Sequence, residues 1–317
     1  MAKNSRFTDD GWAFWVDGED TSTIYITEWI NPAGTTYADL GIHIRGILES
    51  TALHIYIPFP ITPEELDDIS LKINSQSLLF AIFGVSGLID YKKNACTTEL
   101  AFNGKLMDLV HISATEFTIK PVATGSMLMV DFEPLKQYLD NDEAYFLFRI
   151  PHKTLSAVFH PEQTVTGVIS RLQNLVTSPI ISEHCGYAVR INEARRLPPE
   201  VTSMSAFHRQ KLKKASIMIS LPEDYETNDA DCYRVRRLEK ALYEGYVPAG
   251  YPSDSAVAYQ WRASREGNLR GRFSFYFTMR HEYMKSASLI AYVIILVMTG
   301  AAGNALWELI KLIFSAI

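Results

Sequence analysis

YADLGIHIRGILESTALHIYI, residues 37–57, decides how the chain is read. Ile42, Ile44 and, after Gly46, Leu48 recur at every second position, and Leu53, Ile55 and Ile57 alternate with His54 and Tyr56. Period-two apolar residues, β-branched among them, mark strands with one buried face. Thr23–Glu28 (TIYITE) repeats the pattern with Ile24 and Ile26 on one side, and Trp12–Val16 is a short apolar run before it. Asn31-Pro32-Ala33-Gly34 marks a turn, and Pro58-Phe59-Pro60 ends the last strand of this group. Thr62-Pro63-Glu64-Glu65 then starts a short helix, with a cap, a proline at the first position and acids in the first turn.

Farther out, Ser77–Phe83 and Gly87–Tyr91 are expected strands on either side of Gly84. Glu116–Lys120 and Ser126–Phe132 are an expected pair around Ala123–Gly125, Glu133–Leu139 a short helix, and Ala144–Ile150 an apolar strand closed by Pro151. Residues 1–150 read as one mainly-β domain, a sandwich or a partly closed barrel. Residues 151–285 read as a basic α+β domain. Its expected elements are a helix over Val165–Val176, a strand over Tyr187–Asn192, a break at Arg195–Pro199 and a short basic helix over Met204–Lys214. A strand at Ala215–Leu221 follows, then a helix over Asp231–Tyr243, capped by Asp229, with Val235, Leu238 and Leu242 on one face. Ala256–Ala263 and Arg272–Met279 are the last expected strands. No repeat of fixed period is present. The expected fold class is therefore α+β, with a C-terminal transmembrane helix over residues 286–317.

That helix is read from SASLIAYVIILVMTGAAGNALW, Ser286–Trp307, 22 residues without a charge. A helix rises about 1.5 Å per residue and needs about 20 residues to cross a bilayer core of about 30 Å, pairing its own backbone as it goes. The alternative is a C-terminal helix buried in a soluble core. Ser286, Leu289, Val293, Leu296, Gly300, Gly303 and Trp307 are the residues assigned to lipid. The small residues from Gly300 to Ala305 would let copies pack closely as a homo-oligomer, or would serve as a flexible link. The flank Trp261–Lys285 has six Lys and Arg against Glu266 and Glu282, which places the N-terminal body on the cytosolic side of a single pass. Leu306–Ile317 would continue the span, lie in the far interface, or return as half of a hairpin around Gly300–Asn304. The start, MAKNSRFTDDGW, lacks the apolar stretch of a signal peptide.

Composition narrows the chemistry. Three cysteines, Cys96, Cys185 and Cys232, stand far apart and form no metal or disulfide pattern, which fits a reducing compartment. No phosphate-binding glycine loop, metalloprotease motif or nucleophile elbow occurs, and Gly84-Val85-Ser86-Gly87 reads as a turn. His152 and His160, eight apart with Glu162 beyond, have no zinc-ligand spacing, and the adjacent His184 and Cys185 have no orienting third group. No enzyme and no cofactor is expected; a membrane-bound hydrolase or nuclease using His152, His160 or His184 is the third reading.

Charge is unevenly spread over a chain of net charge −6. Residues 1–150 carry 10 Lys and Arg against 21 Asp and Glu; residues 151–317 carry 20 against 15. Arg195, Arg196, Arg209, Lys211, Lys213 and Lys214 form one basic tract, and Arg234, Arg236 and Arg237 another. Such tracts would meet a nucleic-acid backbone, anionic lipid or another anionic partner, with Tyr233, Phe207 and Tyr243 as stacking surfaces. An ordinary charged face, with Arg234 and Arg237 paired to the acids of 223–231 or to Glu239, is the other reading.

SLIAYVIILVMTGAAGNALWELIKLIF, Ser288–Phe314, behind a globular body without enzyme motifs resembles the membrane-protein effectors of bacterial antiphage systems. The layout is most similar to the membrane component that accompanies a retron reverse transcriptase. It carries no diagnostic motif, so no residue role transfers. The resemblance implies an inner-membrane effector held silent by the reverse transcriptase with its RNA-linked DNA. Release during infection would disrupt the membrane and abort phage growth. A non-toxic tail-anchored adaptor that recruits a cytosolic complex is the competing expectation.

Overall fold

The computed structural model describes residues 5–315 apart from 19–20, 33, 74, 84–86, 94–95, 103–104, 160–179, 205–206, 208–211, 228–231, 265–270 and 285. The protein is a mixed α+β chain built mainly of strands. One sheet contains, in spatial order, β13 (Tyr225–Thr227), β16 (Phe273–Met284), β11 (Ile180–Ile191), β1 (Ser5–Val16), β4 (Ala52–Ile57), β9 (Gly125–Asp131) and β8 (Phe117–Val122). The second contains β14 (Arg234–Arg237), β15 (Ala256–Ser264), β12 (Leu212–Pro222), β2 (Thr21–Trp29), β3 (Tyr37–Arg45), β10 (Glu143–Pro151), β7 (Lys105–Val110), β6 (Thr97–Phe102) and β5 (Gly87–Lys93).

The alternation read from the sequence sets the layering. Ile24, Ile26, Leu40 and Ile42 of the second sheet pack with Trp12, Phe14, Leu53, Ile55, Val189 and Phe277 of the first in one core. A sandwich results, its two inner faces meeting as period-two strands require. The outer face of the second sheet carries its own cluster around Trp29, Tyr145 and Leu147, covered by Leu78, Tyr243 and Tyr246. Trp15 and Tyr56 on the outer face of the first sheet are covered by Val201 and Phe207.

The expected units before and after residue 150 meet at two parallel seams. β1 runs parallel to β11, with Gly11 opposite Arg190, and β2 runs parallel to β12, with Ile26 opposite Ile217. Both sheets and the central core therefore take strands from both sides of residue 150. At the first seam β1 changes partner: Trp12 is the last residue paired with β11, and Ala13 is the first paired with β4. Asn192 completes the handover. It adopts φ 58° and is fully buried. Its side-chain oxygen accepts from the Phe14 N–H at 2.8 Å and its amide donates to the Phe14 carbonyl at 3.0 Å. Asparagine tolerates this left-handed backbone, and its amide takes the place of a missing ladder residue.

Several local expectations change. Ser77–Phe83 is part of a helix, Gln76–Phe83, rather than a strand. Ser75 caps it by accepting from the Leu78 N–H, and a short apolar run reads alike as a buried strand or a buried helix. Asp231–Tyr243 is not one helix. Arg234–Arg237 is an edge strand, and only Lys240–Tyr243 is helical. Pairing with β15 overrides the helical spacing, leaving Val235 55% exposed while Leu238 is buried. Leu212–Lys214, expected at the end of a basic helix, opens β12 instead. Val165–Val176 lies outside the described residues.

Ser286–Ser315 forms a single 30-residue helix. Ile294, Val297 and Met298 are 56%, 67% and 68% exposed. Among the described residues no helix is long and apolar enough to cross a membrane.

Replacing Asn192 with alanine orphans two buried backbone groups of Phe14. It is expected to cost about 2–4 kcal/mol in urea unfolding, and Asn192→Gly, which keeps the backbone freedom, should recover only a small part of that loss.

Candidate binding face and buried histidine centre

Polar chemistry gathers at two places, one sealed and one open. The sealed one is His152, at the end of β10. Its Nδ1 lies 2.8 Å from Glu28 Oε2 and its Nε2 2.9 Å from Asp10 Oδ2. Thr154 Oγ1 donates to Asp10 at 3.0 Å, and the Tyr187 hydroxyl donates to Glu28 at 2.9 Å. Trp12 and Phe59 flank the imidazole. Burial disfavours the charged ring, but Glu28 and Asp10 more than offset it and raise the His152 pKa to about 9. His152 and Glu28 are wholly buried and Asp10 nearly so, so no substrate reaches them. The arrangement serves as an ionic tie between β1, β2, β10 and β11, not as a hydrolytic centre. His160 lies outside the described residues. Cys185 is buried in the core, His184 is half-buried beside it on β11, and adjacent strand residues face opposite ways. Among the described residues no cluster of His, Cys, Asp or Glu can hold a metal ion.

The open place is the outer face of the second sheet. Cross-strand register lays its side chains out in rows, because paired neighbours share a face. One row runs Leu147, Gly41, Tyr25, Ser216, Arg262. The next runs Arg149, Asp39, Thr27, Met218, Gln260, Arg234. On the far side of the Arg262 row, Lys214 stands across from Thr23 and Ser264.

Residues 238–251 roof part of this face. Arg149 binds Asp39 through Nε at 2.6 Å and Nη2 at 2.9 Å, and its Nη2 also donates to the Tyr246 carbonyl at 2.8 Å. Trp29 Nε1 donates to the same carboxylate at 2.6 Å, and the guanidinium carbon lies 5.8 Å from the Trp29 ring and 5.6 Å from the Tyr246 ring. Burial works against the Arg149 charge, and Asp39 more than restores it. The Tyr251 hydroxyl donates to Ser220 Oγ at 2.7 Å. Gly245 and Gly250, at φ 79° and 74°, make the turns that bring the roof down. At its edge a cavity of about 40 Å³ opens between Tyr25, Asp39, Tyr145, Met218, Arg236 and Tyr243.

Beyond the roof the face is basic. Lys214, Arg234 and Arg262 are exposed and form no ion pair among the described residues. The Arg262 guanidinium carbon stands 4.9 Å from the centre of the Tyr233 ring, which is 63% exposed. Arg236 lies 5.7 Å from the Tyr243 ring.

The two tracts expected to bind anions are therefore divided. Lys214, Arg234 and Arg236 come together on this face. Arg237 turns to Glu223, one of the acids of 223–231, and Arg195 to Glu193 beside the first sheet, with Arg196 in the same loop. Salt bridges with Arg190 and Arg195, opposed by desolvation, hold the Glu193 carboxyl near a pKa of about 2. Lys213 is exposed at the start of β12; Arg209 and Lys211 lie outside the described residues. Phe207 and Tyr243, expected to stack bases, are buried, and Tyr233 alone of the three is exposed. Arg262, Arg45 and Tyr25 were missed. Arg45 and Tyr25 are isolated in the sequence and Arg262 reads there only as one of the flank cations of 261–285; strand register alone brings the three onto one face. In the C-terminal helix, Leu289, Val293, Leu296 and Trp307 are 41–58% exposed and Gly300 and Gly303 are exposed; the Ser286 side chain lies outside the described residues.

The tie at His152 predicts a pH dependence. A folded pKa above the ordinary 6.5 adds stability that is full below pH 6.5 and lost as pH rises through about 9. Urea unfolding followed by tryptophan fluorescence should show that decline in the wild type and not in His152→Gln. His152→Ala should cost about 3–5 kcal/mol, because two carboxylates stay buried without their cation. No family model and no curated protein matches the chain, so the geometry of these two places is what bears on its function.

Proposed function

We propose that this chain is a membrane-attached effector of the antiphage type. Its C-terminal helix resides in the inner membrane, its sandwich faces the cytosol, and an anionic nucleoprotein partner, a retron reverse transcriptase with its RNA-linked DNA, holds it silent. The observation that carries the reading is the helix Ser286–Ser315, with no charge from Ser286 to Trp307 and exposed aliphatic residues from Leu289 to Met298. Leaving a Leu, Ile or Val side chain in water forfeits about 1.5–3 kcal/mol relative to full burial, so a run of them requires an apolar cover. Lipid supplies it, and the basic flank Trp261–Lys285 suits the headgroups of an anionic leaflet. What the helix supports is attachment rather than a given number of crossings. The basic outer face of the second sheet gives the partner a place to act. The same face and helix also suit a non-toxic adaptor, and toxicity separates the two.

The full chain, expressed without neighbouring genes, should sediment with membranes, resist alkaline extraction and collapse the membrane potential followed by a voltage-sensitive dye. A chain ending at Lys285 should do none of these. A full chain that stays dissolved without detergent would refute membrane attachment, and killing by the shortened chain would refute the effector mechanism. Attachment with an intact potential would leave the adaptor.

A further inference from the structure

We infer that the unroofed part of the second sheet's outer face binds single-stranded nucleic acid, with Lys214, Arg234 and Arg262 meeting phosphates and Tyr233 stacking on a base. The inference refines the anionic partner in the proposed function and stands apart from membrane attachment, which its failure would leave untouched.

Position is the first ground. β12, β15 and β14 are consecutive neighbours at the sheet's end, and adjacent strands lie about 4.8 Å apart. Lys214, Arg262 and Arg234 sit on these three strands in turn, each two residues farther along than the last, so their backbones follow a diagonal of about 17 Å in steps of about 8 Å. That reach suits a few successive phosphates of an extended strand. Charge is the second ground. Among the described residues of the strands on this face, Asp39 is engaged by Arg149, and Glu143 by His43 at 3.0 Å and Arg45 at 3.4 Å. The three cations form no ion pair among the described residues, and their uncompensated field is complementary to a polyanion. The third ground is the Arg262–Tyr233 contact at 4.9 Å. A cation held over an exposed ring places a stacking surface beside a phosphate contact, the pairing that single-strand binders use. An anionic leaflet would use the same cations and would accommodate the ring at its interface, so the test below sets vesicles against oligonucleotides. A duplex hides its base faces, which leaves Tyr233 without a role. Beside this row, the cavity at Tyr25 and Arg236 is too small for a base as it stands, so the contact is assigned to the open face.

The test uses the full chain in a neutral detergent, with fluorescent dT15 and a 15-base-pair duplex, and follows polarisation against salt. Single-stranded binding should weaken with salt at a log–log slope of about −2, from about 0.7 per neutralised phosphate over three contacts. Combined Lys214→Glu, Arg234→Glu and Arg262→Glu substitution should abolish it. Tyr233→Ala should weaken it roughly five- to a hundredfold while changing the slope little. Lys120→Glu, exposed on β8 of the other sheet, should stay within twofold. Melting curves of the variants should match the wild type, since each altered side chain is exposed. Absence of binding at low salt, or binding that survives the triple reversal, would overturn the inference. Equal affinity for the duplex would overturn it too, as would oligonucleotide indifference combined with capture of phosphatidylglycerol vesicles through the same three residues.

Discussion

His152 is the point at which the two halves of the chain are held together. Its two nitrogens reach one carboxylate on β1 and one on β2, the strands that form the two parallel seams, and Tyr187 of β11 closes the group from across the first seam. Parallel neighbours contribute slightly less per residue than antiparallel ones. An ionic contact in a dry core is strongly directional, and its loss leaves charge without solvent. The seams thus acquire a fixed register that apolar packing alone would specify less sharply. Asn192 does comparable work one strand turn away, replacing ladder bonds where β1 leaves β11 for β4.

A sandwich fixed in this way has two outer faces, and they differ in use. The first sheet is covered around Trp15 by a compact apolar patch. The second is covered only in part. Arg149 does for the roof what His152 does for the core: it places a cation between Asp39, two aromatic rings and a backbone carbonyl of the 238–251 segment. Where that segment stops, the strands continue outward with Lys214, Arg234 and Arg262, which are exposed and in no ion pair among the described residues. Groups that a fold does not need for stability, held on a rigid sheet, are the usual material of a binding surface.

The C-terminal helix follows β16, a strand integral to the first sheet. Its exposed aliphatic surface and the basic segment before it have opposite solvent preferences, one for hydrocarbon and one for an anionic, hydrated boundary.

Period two in residues 23–57 is enough to place three strands and to say which side of each is apolar, because alternation depends only on neighbouring residues. The uncharged run from Ser286 to Trp307 was equally plain, since length and polarity are properties of the sequence itself. Helix and strand were confused where a run was short and apolar, at Ser77–Phe83, or where an edge pairing outweighed spacing, at Arg234–Arg237. What no local pattern contained was the assembly. Asp10 and His152 are 142 residues apart, Asp39 and Arg149 are 110 apart, and Arg262 acquires its meaning only beside Tyr233 and Lys214. The sequence by itself determined a strand-rich body and an apolar terminal helix. Tertiary structure decided which histidine is a tie, which cations share a face and which are spent on their neighbours, because each of those depends on strand register, and register is settled by contacts between residues distant in the chain.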